Sequence, residues 1–192
     1  MTNSVNNVVV GKPLVTGGIS VAPLGTVLPT DATTALDPAY TPVGYVTDNG
    51  VTKSEKRNTG TIAAWGGDTI AATKKGMDVT IKLAMAELLN KIVQGLIYGD
   101  ANVVATPATA TKGNLLKVTG TSAPTPRKVW VIEVFSDQAK VRVVFPIAKV
   151  MDVGDTTFKD DAIAAADATL QAFPDATGAY FYQYSDDGQK TA

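Results

Sequence analysis

The chain has neither cysteine nor histidine among its 192 residues. Without cysteine there is no disulfide scaffold, thiol nucleophile or thiolate metal site; without histidine the usual general base and commonest metal ligand are gone. No Ser-His-Asp or Cys-His set can be assembled from this composition. An excess of charge is lacking too, since 17 Lys plus Arg stand against 18 Asp plus Glu, a net charge of −1. There is no overall basic field to hold nucleic-acid phosphates, which argues against a nucleic-acid binder. Long apolar runs are also missing: Lys, Asp or Gly interrupts each after a few residues, far short of the roughly 20 that span a bilayer. Asn3, Asn6 and Asn7 make the amino terminus polar, without the basic-then-apolar order of a secretory signal. A product made soluble in the cytoplasm, with no membrane partner, is expected.

What is present suits one domain over residues 1–192: 45% hydrophobic and 18% charged residues for a core and surface, with 17 Gly and 10 Pro as punctuation between strands. Charge is unevenly placed. From Asp152 onward eight acids (Asp152, Asp155, Asp160, Asp161, Asp167, Asp175, Asp186, Asp187) stand against Lys159 and Lys190, net −6, which leaves +5 on residues 1–151. Either these are solvated loops of opposite sign, or opposite surfaces meet between copies of the chain.

Turn formers crowd the first sixty residues, at Gly11-Lys12-Pro13, Gly17-Gly18, Ala22-Pro23, Leu28-Pro29, Asp37-Pro38, Thr41-Pro42 and Asn49-Gly50. Short extended pieces fit between them at residues 14–23 and 43–47. Residues 29–42 read as a long polar connection, and the charged run Lys53, Glu55, Lys56, Arg57 follows Asn49-Gly50. Connections of this length are uncommon in compact domains unless they have a job; this one is either disordered or ordered against a neighbour.

Residues 61–73 predict a strand broken at Gly66-Gly67 by a bulge or a close backbone approach, with Trp65 beside it as a packing anchor rather than a base-stacking platform. Met77, Val79, Ile81, Leu83 and Met85 then alternate with Asp78, Thr80, Lys82 and Ala84, the pattern of a half-buried strand. The period changes at Leu88, Leu89, Ile92, Val93, Leu96 and Ile97, which predicts a helix over residues 86–98. Leu88, Ile92 and Leu96 are its expected core contacts. Glu87 sits at its positive end, and Gly99 is placed for a left-handed cap.

Residues 105–113 read as a linker or hairpin tip, 115–118 as a short strand and 121–126 as a loop. Residues 127–136 and 139–150 predict a hairpin around Asp137-Gln138. Its register pairs Trp130 with Phe145, Ile132 with Val143 and Val134 with Val141, and puts Glu133 beside Arg142 on the other face. Residues 161–173 are alanine-rich, which favours a helix by propensity. Alternation favours a strand instead, with Ala162, Ala164, Ala166, Ala168, Leu170 and Ala172 on a small face packed near the helix and Asp161, Ile163, Asp167, Thr169 and Gln171 on the other. Residues 179–184 close the pattern, and 186–192 are a tail. The carboxylate pairs Asp160-Asp161 and Asp186-Asp187 do not read as an acid-base pair or cation site, because strand neighbours point apart and a terminal pair is wet. Gly66-Gly67 lacks the Lys-Ser/Thr and helix of a phosphate loop. No enzymatic activity, cofactor or metal is expected.

The strings Gly11-Lys12-Pro13, Gly17-Gly18, Val21-Ala22-Pro23-Leu24-Gly25-Thr26-Val27-Leu28-Pro29-Thr30, Leu36-Asp37 and Gly44-Tyr45-Val46-Thr47-Asp48-Asn49-Gly50-Val51 resemble the opening of the major tail tube proteins of long-tailed, non-contractile bacteriophages. Ala64-Trp65-Gly66-Gly67-Asp68 and Tyr98-Gly99-Asp100-Ala101-Asn102-Val103 continue the likeness, which covers most of the chain. The resemblance implies a mainly β fold, a β-sandwich or partial barrel flanked by one α-helix, in hexameric rings of the virion tail. Rings stack around the tape measure protein, and inner strands form a barrel through which viral DNA leaves without specific binding. Tail terminator and distal tail or baseplate proteins are further implied partners. An N-terminal arm (1–12), an inter-ring loop (29–57) carrying Thr30, Asp31, Asp37, Lys53, Glu55, Lys56 and Arg57, and a short tail (186–192) follow, without a C-terminal immunoglobulin-like domain. A lumen that does not hold phosphates is acidic or neutral, so Asp161, Asp167 and Glu133 are the candidates for its wall, an outer solvated face being the alternative. The competing functions are a phage decoration or adhesion β-domain and a two-carboxylate hydrolase.

Overall fold

Alternation and turn chemistry divide the chain into eleven strands and one α-helix in the computed structural model, which describes residues 8–13 and 18–189. Most of the expected N-terminal arm and the end of the tail lie outside the described residues. The strands are β1 (Lys12–Pro13), β2 (Ile19–Pro23), β3 (Thr41–Pro42), β4 (Val46–Ala63), β5 (Thr69–Met85), β6 (Val103–Thr106), β7 (Leu115–Val118), β8 (Lys128–Ser136), β9 (Ala139–Val153), β10 (Ala166–Ala172) and β11 (Tyr182–Asp186); the helix is α1 (Lys91–Tyr98). Nine strands form one antiparallel sheet along the path β3-β2-β8-β9-β10-β5-β4, with β1 added on β8 and β11 on β9, and β6 pairs with β7 separately. The sheet is open at β3 and β4 rather than closed into a barrel. It is strongly curled nonetheless, because Ile19 and Val21 of β2 share one apolar cluster with Val79, Ile81 and Leu83 of β5, four strands away.

The β8–β9 hairpin has the expected register, Trp130 opposite Phe145, Ile132 opposite Val143 and Glu133 opposite Arg142. Asp137 takes φ +50° at its tip, a conformation that Asp tolerates better than most residues. In β5, Val79, Ile81, Leu83 and Met85 are buried as the alternation requires. The small face of β10 is buried too, and Ala166, Ala168, Leu170 and Ala172 join the cluster that holds Val93, Leu96 and Ile97 of α1. This strand begins at Ala166 rather than Asp161, where the chain first pairs with the main sheet at Met85 of β5; before it Ala162 makes only an isolated bridge with Lys159. Residues 161–165 therefore carry no strand face, and Ile163 is 74% exposed.

The helix is shorter than its period suggests. Asn90 caps it, its Oδ1 accepting from the Ile92 amide at 2.9 Å, because a short polar side chain competes with helical hydrogen bonding and stops the helix from extending backward. Val93, Leu96 and Ile97 are buried and Leu88 and Ile92 only partly so, while Leu89, in the turn before the cap, is 91% exposed. Glu87 also lies before the helix. Gly99 closes α1 by donating to the Gly95 carbonyl at 2.9 Å, with a positive φ but an extended ψ of 138°, so the cap is not left-handed helical.

The expected loop over residues 29–57 is two different structures. Residues 24–40 fold back as a lid over the outer face of β2, β8 and β9, where Leu28, Leu36 and Tyr40 pack on Val129, Val131 and Val144. Residues 46–57 belong instead to β4. The bulged strand expected over residues 61–73 is a turn between two strands: Ala64 and Asp68 close a three-residue loop in which Gly66 and Gly67 both have positive φ.

Candidate functional site

The face of the sheet turned away from the main core is divided in two. Over β2, β8 and the first half of β9 it is apolar and covered by the lid. Across the second half of β9, β10, β5 and β4 it is polar and uncovered. There the registers set Asp152, Thr169, Lys82 and Thr52 in one row and Lys149, Gln171, Thr80 and Ser54 in the next, with Asp167 beside Ala84 and Asp78 beside Lys56 at the ends. Lys56, Lys82 and Lys149 balance Asp78, Asp152 and Asp167, and a shallow hollow of about 300 Å³ lies among Lys82, Asp152, Asp167 and Thr169. The alternation of β5 and β10 builds this wall, since buried Val79, Ile81, Ala168 and Leu170 put Asp78, Thr80, Lys82, Asp167, Thr169 and Gln171 on the opposite side, with Ala84 the apolar member.

Of the three residues expected on a channel wall, Asp167 stands on this face. Asp161 does not share it, lying in the irregular segment before β10. Glu133 is on the same side of the sheet but under the lid. Arg142, 3% exposed, donates to its Oε1 from Nε at 3.0 Å and Nη2 at 2.6 Å, and from Nη1 to the Asp31 carbonyl at 2.8 Å. Its charge is thus neutralised within the layer.

The residues expected in a bridging loop separate likewise. Thr30, Asp31 and Asp37 belong to the lid. The Thr34 hydroxyl and the Thr34 and Thr33 amides donate to Asp31, and together hold its carboxyl well below the usual carboxylate range. Asp37 accepts from the Ala39 amide at 2.8 Å in an exposed turn. Lys53 and Glu55 pair at 2.8 Å at the root of the β4–β5 hairpin, with Lys53 Nζ 3.8 Å from the centre of the Phe181 ring. Lys56 and Arg57 lie beyond it.

Pairing of β5 with β10 ends at Val79. Past that point β4 and β5 continue as a two-stranded ribbon for about nine residues on each side, roughly 30 Å. Ile62 and Ile70 are exposed along it, and Trp65 at the tip is fully exposed, so the expected packing anchor packs on nothing among the described residues. An isolated two-stranded ribbon is marginal in water, and clustered exposed apolar side chains mark contact surfaces. The sequence signal for this element was Gly66-Gly67 between two long polar-apolar stretches, which fits a hairpin turn as well as a bulge.

Two further carboxylates organise connections. Glu87 accepts from the Tyr45 amide and the Asn90 side chain, both at 2.9 Å, and the Asn90 bond is the main reason its carboxyl is held below the usual range. It thereby ties the start of β4 to the start of α1. Asp175 accepts from the Tyr182 hydroxyl at 2.7 Å and from Thr177 and Ala179, and is pulled down to about 2, with Tyr182 the largest cause.

A family model described as phage tail tube protein matches residues 1–192, the whole chain. No curated protein matches it at a significant level.

Proposed function

The chain belongs to the phage tail tube protein family, and from that premise we propose how it builds a tube. Members are structural proteins of the virion tail that assemble with copies of themselves. The chain forms hexameric rings that stack around the tape measure protein, with terminator and distal tail proteins at the two ends. The uncovered wall of β9, β10, β5 and β4 lines the lumen, and Asp152 and Asp167 belong to it. The observation that carries this reading is a four-stranded face that is bare, polar and balanced in charge. Such a lining neither binds DNA phosphates tightly nor offers passing DNA an apolar surface. The free edge of β4 presents unpaired backbone groups to the next copy. The ribbon beyond Lys56 and Arg57 reaches the neighbouring ring, and the exposed rim of the lid at Thr30 and Asp37 is a second surface for it.

Negative-stain microscopy of concentrated purified protein tests the assembly: uniform tubes with a central hole are expected, and persistent monomers under all conditions overturn it. Particles carrying Asp152→Lys with Asp167→Lys test the wall. They should assemble but eject DNA slowly, and high salt should relieve the defect by screening the new attraction. Unchanged ejection places this face outside the channel.

A further inference from the structure

Strand β5 joins two regions of opposite character. The distal ribbon, residues 56–78, holds Lys56, Arg57, Lys74 and Lys75 against Asp68 and Asp78, net +2. At the other end, Met85 pairs with Ala166, and the connection leading into Ala166, residues 154–165, holds Asp155, Asp160 and Asp161 against Lys159, net −2. None of these four bases or three connection acids takes part in an ion pair among the described residues. Both regions also expose apolar side chains: Ile62, Trp65 and Ile70 on the ribbon, Phe158 (79% exposed) and Ile163 on the connection.

We propose that the basic ribbon of one copy docks on residues 154–165 of a second copy, head to tail along the direction of β5, with Trp65 against Phe158 and Ile163. The 17 residues of β5 hold the ribbon tip at Trp65 roughly 55 Å from the connection beside Met85, so one chain cannot bring Trp65 onto its own Phe158. A copy displaced along the strand direction can. The contact is heterologous, one patch meeting a different patch, and because the copies are displaced along the strand direction it repeats without closing on itself, as growth along a tube axis requires. Opposite charges steer and orient the encounter, while the aromatic knob contributes contact area at its centre. This inference rests on the tube reading and names the partner surface of its ribbon.

A charge exchange tests it. One variant carries Lys56→Glu, Arg57→Glu, Lys74→Glu and Lys75→Glu; a second carries Asp155→Lys, Asp160→Lys and Asp161→Lys; a third carries all seven. Each of the first two should lose pelletable tubes roughly tenfold or more, and the third should regain them, because the reversed ribbon meets a reversed connection. Tubes of ordinary yield from either partial variant, or a folded third variant without tubes, overturn the pairing. The absence of cysteine permits a second measurement that does not depend on charge: Trp65→Cys with Phe158→Cys should give a ladder of covalent multimers on mild oxidation of assembled protein. Tubes that form but yield no ladder overturn the contact and leave the tube reading intact, whereas an unsubstituted protein that never forms tubes overturns both.

Discussion

Arg142 is the buried residue on which the covered half of the sheet depends. Its guanidinium satisfies Glu133 and the carbonyl of Asp31 at once, so it ties the hairpin to the lid. Arg142→Ala leaves a carboxylate without its partner beneath the lid and should cost about 3–5 kcal/mol in urea unfolding. Arg142→Met combined with Glu133→Leu should recover most of that loss, since an apolar pair of similar volume has no desolvation penalty. In α1 the order of burial predicts the order of cost: Leu96→Ala should lose roughly 2–5 kcal/mol and the half-buried Ile92 less. The capping carboxylates set the acid limit. Asp175 is pulled down to about 2 from its ordinary 3.8, and Asp31 and Glu87 are lowered too. A folded-state value below the unfolded one contributes stability that is present above the unfolded value and lost as pH falls toward the folded one. The melting temperature should therefore be flat near neutrality and decline from about pH 4 to pH 2, with a shallower decline in Asp175→Asn.

Among the elements, the β4–β5 hairpin is unusual in needing so little from the rest of its own chain. Only its base, from Val79 to Met85, is paired with another strand, β10. Replacing residues 57–75 by a tight Asn-Gly turn should leave the melting temperature of the monomer nearly unchanged, because that segment takes no part in the core, while abolishing tubes. A large thermal loss in that variant would show that the ribbon supports the body. The lid behaves in the opposite way. Removing residues 30–35 takes away the Asp31 carbonyl that Arg142 holds and the span that sets Leu28 and Leu36 on Val129, Val131 and Val144, so it should destabilise the monomer as well as any contact at its rim. Asn90→Ala, which removes the side-chain cap of α1, should cost about 1 kcal/mol.

For the whole molecule, a net charge of −1 conceals a separation that matters more than the total. The balanced wall runs on through Lys56 and Asp78 into the basic ribbon, and the acidic connection lies elsewhere, so in the proposed tube the same chain lets DNA pass along one surface and attracts its own copy through two others. Assembly should accordingly weaken with added salt while the melting temperature of the monomer changes little, because its buried ion pair is screened far less than exposed charges. Sedimentation and thermal melts over one salt series check this, and parallel loss of both would assign the salt effect to folding. The open edge of β4 carries the usual hazard of unpaired strands, blunted here by Lys53, Glu55, Lys56 and Arg57 along it.

The sequence by itself determined the parts whose physics is local. Dense apolar alternation on both sides of Asp137-Gln138 specified the β8–β9 hairpin to the residue, because slipping by one would turn each core side chain to the wrong face. The same holds for Val79 to Met85 and for the alanine face of β10. Residues 48–60 escaped this reading because only Val51 among them packs on the core and the ribbon from Lys56 onward is wet on both faces, so no hydrophobic period marks the strand and polar composition imitates a loop. Tertiary structure alone decided which polar face stays open. Glu133 and Asp167 lie on the same side of the sheet and look alike in sequence, yet a lid that packs on Val129, Val131 and Val144 encloses one with Arg142 and leaves the other exposed, since only the β2–β8–β9 half offered that lid an apolar surface to bury.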